Sequence, residues 1–238
     1  MQSGNINSFN ETETRRVGYA YYLFSLTFFI SIIATLTLQS ALYDLALFFG
    51  FIGLIIILIS RKSLISNFKS DLLRGIGLYI LFEIIISVAL IIYILSVASS
   101  IITNYPNGVY PASVLSNMVL TGAYISAITL LFFYISYYYM NRAFYRGGRE
   151  RKLIALLFLA FILTTIGFAG EFQIITLKLS SVSSLTSAES AIDLIKAHPL
   201  NIFTIPSVLS SLILLLLYYY SGRAIITNPS TFTDPQRY

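Results

Sequence analysis

Residues 84–141 read IIISVALIIYILSVASSIITNYPNGVYPASVLSNMVLTGAYISAITLLFFYISYYYMN. These 58 residues contain no Asp, Glu, Lys, Arg or His. A helix needs about 20 apolar residues to cross the roughly 30 Å hydrocarbon core of a bilayer. The run is too long for one crossing and long enough for two. Asn104, Pro106, Asn107, Gly108 and Pro111 interrupt it, and such Pro, Gly and Asn clusters break regular structure. The spacing therefore predicts one membrane helix over about 75–102 and another over about 113–140.

The same grammar extends in both directions. Between Val17 and Ser60 the only charge is Asp44, which suits two crossings, about 17–40 and 44–60, joined by a tight turn. A fifth span is expected over about 153–177 and a sixth over about 201–221. The composition agrees: 57% of the 238 residues are hydrophobic and 11% are charged, under half the charge of an average soluble chain. A soluble domain cannot cover its surface with so few ionisable groups, and a disordered chain does not carry so much Ile, Leu and Phe. The expected fold is all-α: a polytopic integral membrane protein with a six-helix transmembrane bundle. Residues 1–16 form an N-terminal arm, 17–222 the six-span domain and 223–238 a tail.

Charge gives the threading. Lys and Arg in short connections are retained on the cytoplasmic side. Thirteen of the 15 basic residues fall in the N-terminal arm, the second-to-third and fourth-to-fifth connections, and the tail; only Lys178 and Lys196 fall in the other connections. Both termini are therefore expected in the cytoplasm, and the apolar runs at the start of the chain are too long for a cleaved signal, so the protein is expected in the cell membrane as a multi-pass protein and not secreted. Tyr19, Tyr21 and Tyr22, Tyr137–Tyr139 and Tyr218–Tyr220 lie at the expected inner interface, where amphipathic rings prefer to sit. The motif Tyr-Tyr-Tyr followed by Arg-Ala recurs at 137–143 and 218–224. Depth preference alone can write it, and an internal duplication is the other reading. The tails, residues 1–14 and 227–238, are polar and read as mobile.

Two connections have helical patterns. Leu64, Ile65, Phe68 and Leu72 fall on one face with Lys62 and Lys69 flanking them, as in a short amphipathic helix lying on the inner membrane surface. Thr186-Ser187-Ala188-Glu189 has the form of a capping box, followed by a stripe of Ala188, Ala191, Ile192 and Ile195 and then Pro199. This predicts an outer interfacial helix, with His198 at its end.

Charged groups inside a span are costly and are functional candidates by default. Glu83 lies nine residues beyond Arg74, about 13 Å along a helix, near the bilayer midplane. Gly75, Tyr79, Glu83 and Ser87 are spaced by four, so this stripe is expected to point into the bundle. Glu171, preceded by Gly170, lies near the outer end of the fifth span. The candidate intramembrane polar site is thus Glu83, Tyr79, Ser87 and Glu171. It could carry protons or cations, or act as polar glue between helices.

Catalytic kits are absent. There is no Cys and a single His, so thiolate sites, iron–sulfur clusters and His-rich metal centres are excluded. There is no H-E-x-x-H pair and no phosphate-binding glycine loop. No catalytic, cofactor-binding or metal-binding residue is expected. The net charge of +5 is scattered and does not suit nucleic acid. The stretch Asn-Arg-Ala-Phe-Tyr at 141–145, the basic turn after it and Leu-Ile-Ala-Leu-Leu-Phe-Leu-Ala-Phe-Ile-Leu-Thr-Thr-Ile-Gly at 153–167 resemble part of an archaeal multi-pass membrane protein family of unknown function. That resemblance implies an archaeal source and no particular activity. The expected role is non-enzymatic, in membrane organisation or as an assembly partner. The alternative is a transporter or channel subunit, or a six-span permease partner of a separate ATPase, using Glu83 in a polar path. The expected partners are the lipid bilayer and either further copies of the chain or a separate protein.

Overall fold

The computed structural model describes residues 3–37, 39–105, 110–145, 149–181, 184–185 and 201–233. Its elements in chain order are α1 (Ser3–Thr37), α2 (Ser40–Ser60), α3 (Ser66–Asn104), α4 (Ala112–Asn141), α5 (Glu150–Ser180) and α6 (Thr204–Thr227). Short 3-10 turns occupy Arg61–Ser63, Arg142–Tyr145 and Pro229–Phe232. Two-residue strands β1 (Tyr110–Pro111) and β2 (Ser184–Leu185) pair antiparallel, Tyr110 opposite Leu185. All six helices are long and apolar enough to cross a membrane. The sequence boundaries hold to within a few residues at most ends. α1 and α3 are the exceptions, starting fourteen and nine residues before their expected spans, and α6 runs six residues past its own.

The chain forms two compact units. The first comprises residues 1–78, 134–161 and 208–238. Here α1 and α2 form a hairpin turned at Gln39, whose carbonyl accepts the Leu42 amide at 3.2 Å. Close helix approach depends on missing side chains. A Cβ on Gly75 of α3 would lie 2.9 Å from both the Met140 amide nitrogen and the Ser136 carbonyl oxygen of α4. The Ser136 hydroxyl donates to the Gly75 carbonyl at 2.7 Å across the same contact. Backbones this close gain dispersion energy and interhelical hydrogen bonds, the forces left to helices in lipid.

The tyrosines of this unit divide by burial. Tyr19, Tyr219 and Tyr220 are exposed, but Tyr21 and Tyr218 are fully buried. Tyr21 donates to the Met140 carbonyl, the Tyr218 hydroxyl meets Met140 Sδ at 3.6 Å, and Tyr134 and Ser210 share a hydrogen bond of 2.8 Å. A buried phenol must find a partner, and these do. The core around Tyr134, Leu153, Leu157, Ala160, Leu214 and Leu217 joins α4, α5 and α6.

One connection and the two tails depart from expectation. Leu64, Ile65, Phe68 and Leu72 do not lie on a lipid surface as a separate helix. Phe68 and Leu72 belong to the first turns of α3 and are fully buried, with Leu64 and Ile65 also buried. The reason is that protein covers the apolar stripe: the Phe68 ring packs 5.5 Å from Phe144 and 5.3 Å from Phe232. The tails are likewise more structured than their polarity suggests. α1 already begins at Ser3, with Thr14 fully buried. At the other end the Ile65 amide donates to the Phe232 carbonyl at 3.1 Å. The outer helix expected over 186–199, with His198, lies outside the described residues.

The second unit comprises residues 79–133 and 162–207. Its α3 and α4 segments stack Phe82 on Phe132 with ring centroids 3.7 Å apart. A small core of Ala112 and Leu179, flanked by Ile101, Tyr105 and Ile175, joins α3, α4 and α5. The start of α6 is capped by Asn201, whose side-chain oxygen accepts the Phe203 amide at 2.7 Å, while the Thr204 hydroxyl accepts the Asn201 amide at 3.2 Å. This reciprocal use of orphan amides is what a helix start requires. Pro206 stands in the first turn, where an amide has no helical acceptor to lose.

Candidate functional site

The four candidate residues all fall in the second unit. Tyr79, Glu83 and Ser87 stand on successive turns of α3, and Glu171 stands on α5. Tyr79 is half-buried, with its ring 5.0 Å from Phe133 of α4. Glu171 is half-buried too, beside Gly170, where a Cβ would collide with the Phe203 ring. Glu83 and Ser87, however, are exposed. The expectation that this stripe points inward is corrected.

Helix geometry explains the difference. Successive residues turn by about 100°, so a four-residue spacing overshoots by about 40° each step. The line from Gly75 to Ser87 thus winds by about 120°. Gly75 is buried, Tyr79 half-buried, and Glu83 and Ser87 exposed. The half-buried face is instead marked by Tyr79, Phe82, Ile86, Tyr93 and Val97, and Tyr79 and Phe82 meet Phe133 and Phe132 of α4 there. Glu83 sits on its flank.

Beyond Ile76, α3 has no buried residue up to its end at Asn104. Ile84, Ile91, Leu95 and Ile102 are all more than half exposed. An apolar side chain is content in lipid, but Glu83 is different. Among the described residues it has no hydrogen bond or ion pair with any other side chain. Nothing bonds it to Glu171, so the four candidates do not form one cluster.

A separate cavity of about 310 Å³ lies between α4 and α5, lined by Ala123, Tyr124, Ala127, Phe168, Phe172 and Gln173 among others. Its walls are mostly apolar, and Glu83 is not one of its lining residues. Among the described residues no group of three or more His, Asp or Glu side chains stands close enough to hold a metal ion.

A polar cluster that sequence reasoning passed over lies in the first unit. Arg142, in the turn after α4, donates from Nε to Glu150 of α5 at 3.0 Å and lies 3.8 Å from the buried Asp71 of α3. The Tyr138 hydroxyl donates to the same Glu150 carboxylate. Beside it the Ser221 hydroxyl donates to Asn141 Oδ1 at 2.9 Å. In the sequence Arg142 reads as a threading signal, and nothing there joins it to Asp71 or Glu150. The Asn141-Arg142 pair following a Tyr triplet was the available clue. The cluster ties three helices together at one end, and its ion pairs read as structural. No family model, no curated protein and no solved structure matches the chain.

Proposed function

We propose that this is a multi-pass protein of the cell membrane, non-enzymatic, with both termini in the cytoplasm, working as a subunit of a larger membrane assembly. The observation that supports this reading is Glu83, exposed on the long uncovered part of α3. It lies about 13 Å along the helix from Arg74, half-way through the hydrocarbon core. A carboxyl at that depth is unfavourable against lipid tails, and intramembrane ionisable groups characteristically face protein or water. Among the described residues no side chain bonds it, and on this reading another protein surface covers it. The second reading is a solute path through Glu83; the apolar α4–α5 cavity, which Glu83 does not line, does not add to it.

Particle mass tests the reading. Extracted from its own membrane directly into polymer-bounded lipid discs and weighed by native mass spectrometry, the protein is expected with protein mass beyond one 26.6 kDa chain. Discs holding a single chain and no other polypeptide would overturn it.

A further inference from the structure

The assembly reading leaves the partner open, and α3 carries the observations that choose one. Ile80, Glu83, Ser87, Ile91, Ile94 and Ala98 are all exposed. Their spacing of three, four, four, three and four is the periodicity of a helix-packing seam. The stripe runs beside the face used for α4 and is not part of it. Ser87, one turn from the carboxyl, and Ala98 are small, which lets a second backbone approach closely. Of the exposed face of α3, which also takes in Leu81, Ile84 and Val88, this is the stripe that holds the acidic group, and one transmembrane helix can lie along it.

A second copy supplies no counter-charge. Between Arg74 and Arg142 the only Asp, Glu, Lys, Arg or His is Glu83. The apolar runs 17–43, 45–60, 153–170 and 201–222 contain no Lys, Arg or His either. A copy threaded by the same charge rule has the same orientation, so its own Glu83 comes to the same level and its nearest basic group, Arg74, stays about 13 Å away along the axis. Homo-association would only bring carboxyls together. Like charges disfavour the ionised state, whereas an opposite charge within a few ångströms favours it.

We infer that the exposed α3 seam binds a transmembrane helix of a different polypeptide carrying a Lys or Arg at mid-membrane depth, paired with Glu83. This rests on the assembly reading above and names the partner's chemistry. A base at mid-bilayer is as unfavourable in lipid as the carboxyl, so pairing removes both groups from contact with lipid tails. Ser87 adds a hydroxyl beside the pair.

Synthetic transmembrane peptides test this directly. The chain has no Cys, so a Ser66→Cys variant takes a single donor dye. It is reconstituted in phosphatidylcholine vesicles with an acceptor-labelled Leu/Ala helix of about 21 residues bearing Lys at its centre, or Leu there, or Lys two turns nearer one end. Energy transfer is expected to report association about tenfold tighter for the centre-Lys peptide than for the Leu peptide. Glu83→Gln should abolish that preference and retain the fold by circular dichroism. Equal binding of all three peptides, or a Lys preference that persists in Glu83→Gln, would overturn the inference. A parallel sample with donor- and acceptor-labelled copies of the protein alone separates the two readings. Glu83-dependent self-association without a Lys preference overturns the foreign partner and keeps the assembly reading. Neither peptide binding nor self-association counts against both.

Discussion

Gly75 and Gly77 show how much one missing methyl group decides. They are two residues apart on α3, yet a Cβ at Gly75 would meet Met140 and Ser136 backbone atoms at 2.9 Å, while at Gly77 nothing lies within 4 Å. Besides the Met140 side chain, two of the obstacles at Gly75 are main-chain atoms, which cannot rotate away, so Gly75→Leu must push α3 from α4 and break the Ser136 hydrogen bond. Overpacking of this kind costs about 1–3 kcal/mol. Gly77→Ala instead replaces a flexible helix residue with the best helix former, a gain of up to about 1 kcal/mol. Thermal unfolding in detergent, followed by circular dichroism at 222 nm, should lower the midpoint for the first variant and hold or raise it for the second. Equal effects would mean that the α3–α4 contact is not close. Both glycines are plain in the sequence, but nothing there separates them. Glu83 is similar: its depth follows from counting residues, whereas its direction depends on a 40° drift per four residues that a four-spaced pattern hides.

Elements add a second kind of information, because they meet through residues far apart in sequence. The turn Pro229–Phe232 follows α6 and packs on the start of α3. Phe232 is buried, with its ring centroid 5.3 Å from Phe68 and 5.4 Å from Phe144. Three rings from three separate segments thus close over the apolar stripe of Phe68 and Leu72. Phe232→Ala removes the ring that completes the cluster, and truncations of this size cost about 3 kcal/mol. Its expected signature is a lower unfolding midpoint together with faster protease cleavage after residue 228. An unchanged midpoint would show that the turn contributes no stability. The sequence makes the six spans legible because each needs only a local count of apolar residues. It does not make this cluster legible, because a lone Phe between Thr231 and Thr233 looks like any residue of a polar tail. The amphipathic stripe at 64–72 was legible as a stripe, but whether lipid or protein covers it depends on those distant rings. The Arg142, Asp71 and Glu150 cluster was hidden for the same reason: Arg142 taken alone fits the threading code, and the two carboxylates lie 71 and 8 residues from it in sequence.

At the scale of the whole molecule, the threading itself is the last expectation to test. The 15 basic residues divide thirteen to two between alternate connections. Cytoplasmic retention acts on Lys and Arg in short loops, not on net charge, so the bias would hold even with the acidic residues ignored. Ser66, at the start of α3, lies in a connection rich in basic residues; Ser181, after α5, lies in one of the poor ones. Both side positions are exposed, and the chain has no Cys of its own. A Cys introduced at either place is therefore the sole target for a membrane-impermeant maleimide. In sealed cells Ser181→Cys should label at once and Ser66→Cys only after the membrane is opened. Six crossings put both termini on the side of Ser66, so a tag at either end should become accessible only with it. Labelling of Ser66→Cys in sealed cells would invert the orientation. Because inversion leaves depth unchanged, Glu83 would keep its place at mid-membrane and its need for a partner. Labelling of both positions in sealed cells would instead break the count of crossings between them, and with it the midplane position of Glu83 on which the assembly reading depends.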